Sequence, residues 1–65
     1  DALAARVTAE VGEQRAKQIR RAYELVLTRV PTADELVDAD SVVREHGLPV
    51  LCRVLFNANE FLFIP

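Results

Sequence analysis

RVPTADEL, residues 29–36, decides how this chain folds. Pro31 has no backbone N–H, and its ring disfavours helical geometry at Val30, so a helix arriving from upstream must end there. Thr32 and Glu35 stand three residues apart, the spacing of a capping box. In that motif the Thr32 hydroxyl accepts from the Glu35 amide, and the Glu35 carboxylate accepts from the Thr32 amide. Asp34 and Glu35 also lie at the positive end of the new helix dipole. The stretch therefore predicts one helix ending, a tight turn and a second helix beginning. Arg29, at the negative end of the first helix and beside the acidic start of the second, reads as a clamp pairing with Asp34 or Glu35. The plainer reading is a solvated arginine that contributes little.

Upstream of the turn, Ala16, Ile19, Tyr23, Val26 and Val30 recur at alternating spacings of three and four, widened by Leu27. This predicts a helix over 13–30. Gly12 separates it from 2–11, where Leu3, Val7 and Val11 form one stripe of a short helix. Downstream, 33–46 buries Leu36, Ala39, Val42 and Val43. Gly47 suits the left-handed residue just past a helix end, and Pro49 suits the first turn of the next. That fourth helix, 49–57, is apolar nearly all round with Arg53 as its one charge, so it is expected to be the most buried, with Leu51, Val54 and Leu55 in the core.

Asn57 and Glu60 repeat the Thr32–Glu35 spacing, which predicts a break at Asn57 and a restart capped by it. The alternative is that Asn57 or Asn59 ends the fourth helix in left-handed geometry. Phe61, Leu62 and Phe63 then form a short apolar tail, expected to fold back onto the helices; its rival role is a hook for a partner surface. The reading is an all-α, compact array of about four helices occupying 1–65 as a single domain.

Sixty-five residues hold one small domain with a thin stability margin. The chain contains no methionine, and helical pattern starts at its first residues, so it is expected to be a domain cut from a longer protein. No apolar run approaches the ~20 residues that cross a bilayer. Net charge of -2 argues against a general nucleic-acid binder. The charge is divided: Arg15, Lys17, Arg20, Arg21 and Arg29 precede the turn, while Asp34, Glu35, Asp38, Asp40 and Glu45 follow it. Two neighbouring helices with complementary fields explain this better than a separate basic face.

Catalytic chemistry finds no support. His46 is the only histidine; its neighbour Glu45 points about 100° away on a helix, and a helix-end imidazole suits the negative end of the dipole. Asp34 and Asp38 share a helix face, but two carboxylates are too few to hold a hard cation. Cys52, the single cysteine, lies in the most apolar segment and reads as a small core residue. A helix-turn-helix binder would read DNA with the helix after the turn. That helix opens on Asp34, Glu35, Asp38 and Asp40, which repel phosphate. The idea survives only if the basic helix, with Arg15, Arg20 and Arg21, makes the contacts.

IRRAYELVLTRVPTADEL together with LPVLCRVLFNANEFLFIP resembles the C-terminal end of large planctomycete-type proteins. Those pair domains of unknown function with c-type cytochrome domains. The residues carrying the resemblance are Tyr23, Leu27, Arg29, Pro31, Thr32, Glu35 and Leu36, then Asn57, Asn59, Glu60, Phe61 and Leu62. It spans roughly 13–64. The family commonly has glycine before the arginine and proline after it, where this chain has Thr28 and Val30, and it often ends in an aromatic and an acid, where this chain has Phe63 and Pro65. The resemblance implies an extracytoplasmic, multidomain parent and no known activity. Any haem would sit elsewhere in that parent, since the chain has no Cys-x-x-Cys-His motif. The expected role is a non-catalytic packing or interaction module, its partners being other domains of the parent or another protein, without membrane insertion or a cofactor of its own.

Overall fold

A computed structural model of the chain describes residues 2–62, with side chains through Ala58. Four helices follow one another: α1 Ala2–Val11, α2 Arg15–Leu27, α3 Ala33–His46 and α4 Leu48–Leu62, with no strand among the described residues. α2 and α4 form the centre, each packing on the other three helices, while α1 and α3 do not meet.

The core is built from one stripe of each helix. Ala4 and Val7 enter from α1, Ile19, Ala22, Tyr23 and Val26 from α2, Ala39 from α3, and Leu48, Leu51, Cys52 and Leu55 from α4. Leu3, Val11, Leu27, Leu36, Val42 and Val43 seal its edges, partly buried. Among the described side chains α2 supplies as many core residues as α4, so they do not make the fourth helix the most buried element it was expected to be. Val54, expected inside, is 50% exposed, and Phe56 is 45% exposed. The buried set Leu48, Leu51, Cys52, Leu55 follows a three–four rhythm, and Val54, one position before Leu55, falls about 100° off it. Apolar composition alone did not show which face turns inward.

Two helix ends differ from the sequence reading for backbone reasons. α2 stops at Leu27, three residues before Val30, because Thr28 adopts left-handed geometry at φ 57 and ψ 28. Val30 is consequently outside the helix and 49% exposed, and Ala16, at the other end of the expected stripe, is exposed too. Thr28 is the only non-glycine residue with positive φ among those described. Gly47 has φ 93 but ψ 161, which is not the left-handed helical region expected of it. That combination is open essentially to glycine alone. Its amide still donates to the Val43 carbonyl at 2.9 Å, closing α3.

α4 runs unbroken from Leu48 to Leu62, so Asn57 lies inside a helix and neither caps a new turn nor ends the old one. Between Pro49 and Leu62 the sequence has no proline or glycine to interrupt the ladder, and asparagine within a helix costs only about 0.7 kcal/mol relative to alanine. The side chains of Glu60, Phe61 and Leu62 and the whole of Phe63 lie outside the described residues, as does the question of whether the tail folds back.

Candidate functional site

The α2–α3 turn is the most elaborated polar cluster. Thr32, extended at φ -71 and ψ 170, caps α3 and forms the complete box. The Glu35 amide donates to Thr32 Oγ1 at 3.2 Å, and the Thr32 amide donates to Glu35 Oε1 at 2.9 Å. Arg29 then grips the same carboxylate with both arms of its guanidinium, Nη1 to Oε1 at 2.6 Å and Nη2 to Oε2 at 2.7 Å. Of the two carboxylates the sequence offered, Glu35 is the one engaged. The Arg29 fork and the Thr32 amide together hold the Glu35 carboxyl down to about 2. Arg29 Cζ also sits 5.7 Å from the centroid of the Tyr23 ring, within cation–π range. Burial, followed by the negative charge of Glu35, pushes the Tyr23 phenol above its ordinary value. Pro31 stands between Arg29 and Thr32 in this turn, and the whole assembly fixes how α3 leaves α2.

Part of the divided charge resolves into ties between helices. Arg15 on α2 donates to Asp40 on α3 at 2.8 Å, which holds the Asp40 carboxyl below its usual range. Arg21 reaches Glu10 on α1 at 2.6 Å, and Arg6 reaches the same carboxylate at 2.8 Å. Those two arginines depress the Glu10 carboxyl. Arg20 stays within α2, 3.8 Å from Glu24. The sequence suggested complementarity between α2 and α3; it did not show that α1 shares it.

Gln18 was missed altogether. It is a polar side chain 7% exposed, and its Nε2 donates to the Gly12 carbonyl at 2.9 Å and to Thr8 Oγ1 at 3.3 Å. The α1–α2 turn is tied down from beneath by that amide. The available signal was position: Gln18, Ala22 and Val26 share one face at spacings of four. No buried side-chain nitrogen or oxygen among the described residues lacks a partner.

Residues considered for chemistry lie apart. His46 is exposed at the end of α3. Cys52 is fully buried in α4, and burial raises its thiol above its ordinary value, the opposite of activation. Among the described residues no three His, Cys, Asp or Glu side chains gather as a metal site would require. No described helix is long and apolar enough to cross a membrane. The surface hollows are open, and two of them run along the α2–α3 seam over Ala16 and Leu36. Comparison with family models, with curated proteins and with solved structures finds no match.

Proposed function

We propose that this chain is a non-catalytic helical packing or protein-interaction module. The resemblance would put it at the C-terminal end of a large, multidomain extracytoplasmic protein, with other domains of that protein or a separate protein as its partners. One observation carries the reading: the arginines of α2 are spent on carboxylates of the chain itself, while large apolar side chains are left outside. Arg15, Arg20 and Arg21 each face a carboxylate. Val37 is 69% exposed, and Val30, Val54 and Phe56 are each about half exposed. Surfaces of that kind serve contact with protein rather than with phosphate.

The competing reading is a helix-turn-helix-like nucleic-acid module using α2. Its support is that Arg15, Lys17, Arg20 and Arg21 share that helix. Phosphate would have to displace Asp40, Glu24 and Glu10 from them. Fluorescence anisotropy with labelled duplex DNA in about 50 mM salt separates the two. No binding is expected, and binding that falls steeply as salt rises would establish the alternative.

A further inference from the structure

Two shallow hollows of about 450 and 530 Å³ share Ala16 of α2 and Leu36 of α3, making one groove along the α2–α3 seam. Its apolar content is exposed: Val30 borders one hollow and Val37, the most exposed large hydrophobic residue described, borders the other. Lys17 and Arg20 line it from α2, and Asp38, Asp40 and Arg44 line it from α3, where Arg44 pairs with Asp40. Lys17 stands on the α2 side and Asp38 on the α3 side, both exposed. Neither takes part in an ion pair among the described residues, whereas their neighbours Arg15, Arg20 and Asp40 all do.

We infer that this groove is where a second copy of the chain docks about a two-fold axis. A two-fold contact uses the same patch on both partners, so the patch must complement itself. A groove with one unspent cation on one side and one unspent anion on the other meets that condition. Rotation sets Lys17 of each copy against Asp38 of the other and brings Val37 over the facing Ala16 and Leu36. An unrelated apolar segment would find the same floor but would have no use for a matched pair of opposite charges. The whole chain exposes 4484 Å², and one seam between two short helices offers less than the roughly 800 Å² per partner of a standard interface. The dimer is therefore weak, with Kd between about 1 μM and 1 mM.

This inference rests on the interaction-module reading and names its partner. Sedimentation equilibrium of the 65-residue chain from about 10 μM to 1 mM tests it. The wild-type chain shows a concentration-dependent monomer–dimer equilibrium. Lys17→Glu and Asp38→Lys each place like charges across the axis and weaken association at least about 10-fold. Mixing the two variants in equal amounts restores a heterodimer, because each reversed charge then meets its opposite. A wild-type chain that stays monomeric to about 1 mM overturns the inference. A mixture that associates no better than either variant alone overturns it as well. Both sites are exposed, so circular dichroism of each variant retains the wild-type helical signal. DNA binding would defeat the underlying reading without affecting association, which keeps the two failures distinguishable.

Discussion

Replacing Thr28 by glycine should make this protein more stable, although it removes a side chain and a hydrogen bond. Thr28 sits at φ 57 and ψ 28, where an L-residue is disfavoured by about 1–2 kcal/mol because Cβ crowds the following carbonyl. Branching at Cβ puts threonine towards the upper part of that range. Glycine removes this cost but adds about 0.4–1 kcal/mol of backbone entropy in the unfolded chain. The Thr28 hydroxyl donates to the Leu27 carbonyl at 2.6 Å in an exposed position, where water takes over the bond with little loss. The net expectation for Thr28→Gly is a gain of about 0.5–1 kcal/mol, or roughly 2–8 °C in melting temperature for a domain of this size. Urea denaturation followed by circular dichroism reads it as a shift in midpoint at unchanged slope. Thr28→Asn should gain less, since asparagine tolerates the left-handed region only partly, and Thr28→Ala should gain nothing, since it keeps Cβ. A lower midpoint for Thr28→Gly, or an equal gain from Thr28→Ala, would refute the strain argument.

Thr32→Ala should cost about 1 kcal/mol by removing the acceptor at the start of α3, and an unchanged denaturation midpoint would mean the cap is not formed in solution. Leu55→Ala, at a site 3% exposed, should cost about 2–5 kcal/mol, while Val54→Ala, half exposed, should cost less than about 1 kcal/mol. Equal losses would show that α4 turns a different face inward. Glu35 has a folded value near 2 against an ordinary 4.5, so its contribution is complete above 4.5 and is lost as pH falls towards 2. The stability difference between the wild type and Glu35→Gln should accordingly shrink as urea midpoints are taken from pH 5 down to pH 2; a constant difference would mean the Arg29 fork is absent.

What could be read from the sequence depended on whether the signal was local. Thr32 and Glu35 act on their own backbone within one turn, so the box that opens α3 was visible without knowing the fold, whereas Pro31 placed the end of α2 three residues too late. The Arg29 pairing spans six residues and was visible as a choice of two carboxylates, settled only by where the guanidinium points. Thr28 was hidden because threonine does not advertise left-handed geometry. Gln18 and the α1 ties through Glu10 depend on how α1 packs across α2, which no local rule supplies. The inward face of α4 was ambiguous because its composition is apolar on every side, and the asparagines near its end suggested a cap that an uninterrupted ladder overrides.

Whether this chain works by packing is tested most directly by its melting temperature alone and inside the longer protein that the resemblance implies. Scanning calorimetry should find residues 1–65 unfolding several degrees higher when joined to the neighbouring domains, since partner contacts made only by the folded state stabilise it. The same transition temperature in both settings would contradict a packing role.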